Sequence, residues 1–232
     1  MRRSTSLFLV CAALLVAVVI APSVVAHGVA EEDKEFLERN RGIQIGPFLY
    51  LGAKHMVTGY DHLLFLLGVI FFLYRIQEVI SYVTYFTLGH SLTLILGVML
   101  NIPANSYLID AIIGFSVVYK GFDNLGGFRT FFGFQPNTKV AVGIFGLFHG
   151  FGLATKVQDF SLDRQGLFTN IIAFNIGVEI GQFLALTFMV IGITYWRMHK
   201  SFARHAFLTN TLIMVGGFML IGYQLTGYFL EA

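Results

Sequence analysis

Two stretches of this chain, Ser81–Ile109 and His205–Leu230, contain no Asp, Glu, Lys or Arg. Each is longer than the roughly 20 apolar residues that carry a helix across the hydrocarbon of a bilayer. A helix apolar on every side has no face to offer water, so such stretches belong inside a large core or a membrane. Only 12% of the 232 residues are charged, about half the share of a soluble domain, which decides for the membrane. A net charge of +2 is too small for a nucleic-acid footprint. The first partner expected is therefore the lipid bilayer.

From residue 43 onward, apolar segments alternate with short polar breaks, and six spans are read at 55–74, 79–100, 106–121, 140–157, 168–195 and 206–229. All are expected to be helical, because a lone strand cannot satisfy its backbone in lipid. The predicted fold class is all-α: a polytopic membrane bundle of six transmembrane helices over 45–232, following a cleaved signal peptide. Arg2 and Arg3 form a positive n-region, Leu7–Ile20 an apolar h-region, and Val24-Val25-Ala26 a short-residue end. This pattern reads as a secretory signal over 1–26, cleaved after Ala26. Residues 27–44 then form an extracytoplasmic polar arm, and cleavage would give His27 a free α-amine that, with its imidazole, can chelate a metal. The one cysteine, Cys11, lies in the h-region, so the mature chain has no thiolate and no disulfide. Any metal must be held by nitrogen and oxygen.

Lys and Arg give the orientation. With the mature N-terminus outside, the inner breaks hold Arg75, Lys120, Arg129, Lys139, Arg197, Lys200 and Arg204, while the outer breaks hold only Lys156 and Arg164. That asymmetry follows the positive-inside rule. It predicts a multi-pass membrane protein with both mature termini outside. The Phe-rich break 121–138 reads as an interfacial loop on the inner face.

Ionisable residues inside a span cost about 2.5–3.5 kcal/mol on an insertion scale. Here five spans carry one: His55, Asp61 and His62 in the first, His90 in the second, Asp110 in the third, His149 in the fourth and Glu179 in the fifth. Their depths share a layer from the midplane to the outer leaflet. His55 and His62, seven apart, fall on one helical face. Asp61 points elsewhere and is expected to orient an imidazole on a neighbouring helix, as carboxylates do behind metal-bound histidines. Each residue also has an ordinary reading, a packed histidine or a helix cap at Asp61 or Asp110, but together they point to one externally open metal site. Glu179 is deep and lacks a basic partner on its own helix. Gly143, Gly146, Gly150 and Gly152 surround His149, and Gly177 and Gly181 bracket Glu179, a spacing that lets helices approach closely. The ligands expected are His62, His90, His149 and Glu179, with His55 at the entrance.

The runs His55-Met-Val-Thr-Gly-Tyr-Asp61-His62, Phe86-Thr-Leu-Gly-His90-Ser91, Phe145-Gly-Leu-Phe-His149-Gly150 and Phe174-Asn175-Ile-Gly-Val-Glu179-Ile-Gly-Gln182 together resemble the HupE/UreJ family of bacterial inner-membrane proteins. The resemblance implies a six-helix membrane protein associated with nickel supply to hydrogenase and urease, with a permease role. It also implies functional roles for His55, Asp61, His62, His90, Ser91, His149, Asn175 and Glu179. Asp110 stands where the resemblance leads one to expect a glutamate, and the N-terminal arm has no His-rich tract.

Three functions fit these residues. The first is uptake of a divalent transition metal, since imidazoles and carboxylates without thiolate suit nickel, cobalt, zinc or copper and the resemblance favours nickel. The second is an intramembrane metal-dependent hydrolase with Glu179 as general base. The third is a non-transporting metal-delivery or assembly factor. The balance is against an enzyme, and a homo-oligomer is a further candidate assembly.

Overall fold

The computed structural model describes residues 42–158 and 165–231, and every regular element among them is helical. The elements are α1 (Ile45–Thr58), α2 (Tyr60–Ile70), α3 (Ile76–Leu100), α4 (Ser106–Asn124), one π-helical turn (Phe128–Phe132), α5 (Thr138–Gln158), α6 (Leu167–Arg197) and α7 (Ser201–Glu231). Four of them, α3, α5, α6 and α7, are long and apolar enough to cross a membrane. The expected leader, and His27 with most of the polar arm, lie outside the described residues.

The first span departs from the single helix expected at 55–74. Helix starts ten residues earlier, stops at Thr58 and resumes at Tyr60. The hinge is Gly59, whose ψ of 95° leaves the helical region. The ladder closes on both sides of the break, with Gly59 N–H donating to His55 O at 2.8 Å and Leu63 N–H donating to Gly59 O at 3.0 Å. A Cβ at Gly59 would sit 2.9 Å from His55 O and 3.3 Å from His62 Nδ1. Glycine therefore allows the break to fold back on its own side chains. α4 runs as expected from Ser106, where Asn105 accepts the N–H of Leu108 at 3.2 Å as its cap. Asp110, Lys120 and Asp123 make α4 more polar than its neighbours.

The helices associate as three close pairs, α1 with α6, α3 with α5 and α4 with α7, around the short α2. Glycines permit each pairing. Gly52 and Gly177 lie against the backbone of Phe174 and Leu49 across α1–α6. Gly146 and Gly150 meet the carbonyls of Phe86 and His90 across α3–α5, and Gly217 packs on Gly114 and Val118 across α4–α7. With no hydrophobic drive between helices in lipid, such contact between backbones is what holds a bundle together. α2 is central: eight of its eleven residues are buried. Arg197 of α6 takes up the open carbonyls at its C-terminal end, donating to Ile70, Phe71 and Leu73 at 2.6–2.8 Å. The Phe-rich connection carries the π-helical turn, with Phe131, Phe132 and Phe134 exposed.

Candidate metal centre

The break at Gly59 puts His55 in the last turn of α1 and His62 in the first turn of α2. The two residues stay on one side although no continuous helix joins them. Their ring centroids are 5.2 Å apart. α3 brings His90 to 5.8 Å from His62, and α5 brings His149 to 4.6 Å. His62 is thus the hub of four imidazoles supplied by four helices. His62, His90 and His149 are buried, at 2%, 1% and 0% exposure, and His55 is half-buried. Phe65 and Phe86 wall His149 at 5.2 and 5.1 Å, and Phe174 flanks His55. The wall leaves the rings little access to solvent.

Two of the rings have a partner that fixes their protons. Asp61 Oδ1 accepts from His62 Nδ1 at 3.1 Å and from the His62 backbone N–H at 2.9 Å. In the neutral imidazole this places the proton on Nδ1 and leaves Nε2 as the lone-pair nitrogen. Ser116 on α4 donates its hydroxyl hydrogen to Ile113 O at 2.6 Å. Toward His149 it can then only accept, from Nε2–H at 3.1 Å, which leaves Nδ1 of His149 bare. Both bare nitrogens are buried without a hydrogen-bond partner, as are His55 Nε2 and both ring nitrogens of His90. Nine in ten buried polar groups find a partner, so five unpaired imidazole nitrogens around one hub require a reason.

The expectation for Asp61 changes in one respect. It orients the adjacent His62 rather than an imidazole on another helix, because in the first turn of α2 its carboxylate reaches both donors of the next residue. Asp110 does not cap α4; it pairs with Lys156 of α5 at 2.8 Å, with both side chains largely buried. Lys156 lies two turns beyond His149 on the same helix, and Asp110 nearly two turns before Ser116. The contacts Asp110–Lys156 and Ser116–His149 therefore pin α4 to α5 at successive levels. Ser91 accepts from Asn175 Nδ2 at 2.9 Å across α3–α6.

Glu179 stands apart from the imidazoles. Its side chain is exposed, and among the described residues it makes no hydrogen bond or ion pair. The reason is helical phase. α6 packs on α1 through Gly177 and Gly181, each two residues or about 200° from Glu179 at 3.6 residues per turn, so the carboxylate points away from α1. His199, in the link just past α6, bonds to Tyr195 O at the end of that helix, and His205 to Ser201 O at the start of its own helix α7. Sequence reasoning missed Ser116 and Lys156 as partners of the site. The seven-residue interval from His149 to Lys156 was a readable signal, whereas a serine in an apolar helix gives none.

Among the described residues no three His, Asp or Glu side chains already stand in ligating positions about one point. The ring separations nonetheless suit a shared ion. With a nitrogen–metal bond near 2.0–2.1 Å and the ring centre about 1.1 Å further on, two imidazoles on one metal have centroids roughly 4.5–5.2 Å apart. His149 and His55 lie at such distances from His62, and His90, at 5.8 Å, lies beyond them.

Residues 31–232 match the family whose description is HupE / UreJ protein. No curated protein and no solved structure matches the chain.

Proposed function

The chain belongs to the HupE/UreJ family, associated with nickel and cobalt transport or metal handling, and from that premise we propose that it takes up a divalent transition metal, nickel by preference, across a bacterial inner membrane. The ion is the cargo. Its donors are His62 Nε2, His149 Nδ1 and His90, with His55 at the approach and Asp61 holding the His62 ring. The observation that carries this reading is the set of five buried, unpaired imidazole nitrogens. Ligation would relieve their desolvation, and a nitrogen set without thiolate suits nickel, cobalt, copper or zinc. The break between α1 and α2 supports it too, because broken helices line substrate sites in transporters and the negative end of the α1 dipole favours a cation. A hydrolase would need a general base beside the metal, and Glu179, the residue expected for that role, is exposed on α6.

In the proposed topology both mature termini are outside and the site opens outward. A C-terminal reporter active only in the cytoplasm stays silent; strong activity from an intact fusion rejects the topology. The function is tested with purified protein reconstituted in vesicles. Nickel enters vesicles holding the natural sequence, and His149→Ala abolishes both entry and binding while the protein stays inserted. Full binding and entry by His149→Ala would refute the site. Binding without entry by the natural sequence would leave a delivery factor instead. Imidazoles must shed their protons to ligate, so nickel affinity falls as pH is lowered.

A further inference from the structure

A second polar region runs along the seam between α3 and α6, and the metal reading does not use it. Gln182 Nε2 donates to Thr87 Oγ1 at 3.1 Å, and Asn175 Nδ2 donates to Ser91 Oγ at 2.9 Å. Both carboxamides are more than nine-tenths buried, Gln182 at 2% and Asn175 at 8% exposure. Their carbonyl oxygens, Gln182 Oε1 and Asn175 Oδ1, are buried without any partner. Glu179 rises between them on the same helix face, four residues after Asn175 and three before Gln182. It lies about 18 Å along α6 from Leu167 and about 27 Å from Arg197, well inside the apolar stretch. Around it the surface is apolar, with Ile176, Ile180 and Phe183 of α6 and Leu88 and Leu92 of α3 all exposed.

This seam carries no Lys or Arg of its own. α6 has no Lys or Arg before Arg197, and α3 carries no charged residue after Glu78. Lys54 belongs to α1, which packs on the opposite face of α6, and α2 brings only Asp61 and His62 to its own contacts. Two buried carbonyl oxygens without a partner, on the helix face that also carries a carboxylate, would be satisfied by a positive charge. The count of charges selects the ion: one carboxylate with neutral amide and hydroxyl oxygens balances a monovalent cation, whereas a divalent one would leave a net charge in the bilayer. All the donors are hard oxygens, the kind that hold alkali cations in unwound or polar regions of transporters.

The geometry points to a sodium-binding site at the α3–α6 seam, formed by the Glu179 carboxylate with Asn175 Oδ1 and Gln182 Oε1 and completed by the hydroxyls of Ser91 and Thr87. If the uptake reading holds, sodium at this seam is the coupling ion; the site itself stands without that reading. The test is thermal unfolding of the purified full chain in sodium chloride against choline chloride and potassium chloride at matched ionic strength. Sodium should raise the midpoint saturably by several degrees, because a ligand bound only by the folded state stabilises it. Glu179→Gln should abolish that response while retaining nickel binding, which shows that the variant is folded. Gln182→Met should weaken it. An equal response to choline, or an undiminished response in Glu179→Gln, overturns the proposal. Stabilisation by acid without a sodium effect overturns it in favour of a proton, and insensitivity to all three means that the amides turn their NH₂ groups onto Glu179.

Discussion

The imidazole cluster and the α3–α6 seam are both polar regions in an apolar body, and both leave acceptors unpaired. They differ in atom type and in burial. The cluster offers nitrogen lone pairs on three rings of 0–2% exposure and on half-buried His55, two of them aimed by Asp61 and Ser116. The seam offers oxygens, with its one carboxylate open to the surface. Nitrogen suits a late transition metal and oxygen a hard cation, so the proposed nickel and the proposed sodium divide by donor type. In the cluster two rings are held by a neighbour, Asp61 and Ser116, whereas the seam's amides are held by hydroxyls.

The comparison can be broken first at the hub. His62→Ala removes the ring nearest the other three and should weaken nickel binding by more than the roughly 100-fold that bounds a supporting change. Calorimetry showing an unchanged affinity would dissolve the cluster as a site. Asp61→Asn keeps the shape but frees the His62 tautomer, and a drop of roughly 10–100-fold is expected. Ser116→Ala acts on His149 in the same way through a weaker, neutral partner, so about tenfold, the low end of that range, is expected; the readout is nickel competition against a chromophoric chelator. The sharpest distinction is a null effect. Glu179→Gln should leave nickel affinity within about twofold, as a substitution outside the site does, and a large loss would merge the two regions into one. His199→Ala should change neither ion's binding, since that side chain only bonds to the end of α6.

Much of the fold was legible beforehand because lipid leaves few choices. The charge-free runs located α3 and α7, and the expected limits of α5 and α6 fall within three residues of those observed. The first span misled, since its apolar run 62–74 hid a glycine hinge three residues upstream and a helix that begins in more mixed sequence. Three of the four ligands expected at the core of the site, His62, His90 and His149, do gather; spacing along one helix foresaw only the meeting of His55 and His62. The placement of Glu179 was not legible, because its phase on α6 is set by which face Gly177 and Gly181 offer to α1, and both glycines fit either assignment in sequence.

The sequence by itself determined that this chain is helical and apolar, that the candidate donors of its described helices are nitrogen and oxygen, and how far apart they stand along each helix. Those properties follow from composition and from a rise of 1.5 Å per residue, which need no knowledge of neighbours. Only the tertiary structure decided which donors meet. Rotation of each helix about its axis is fixed by backbone contact at glycines and by cross-helix bonds such as Ser116 to His149 and Asp110 to Lys156. A difference of two residues turns a side chain through about 200°, and that turn separates an imidazole buried against its hub from a carboxylate facing out of the bundle.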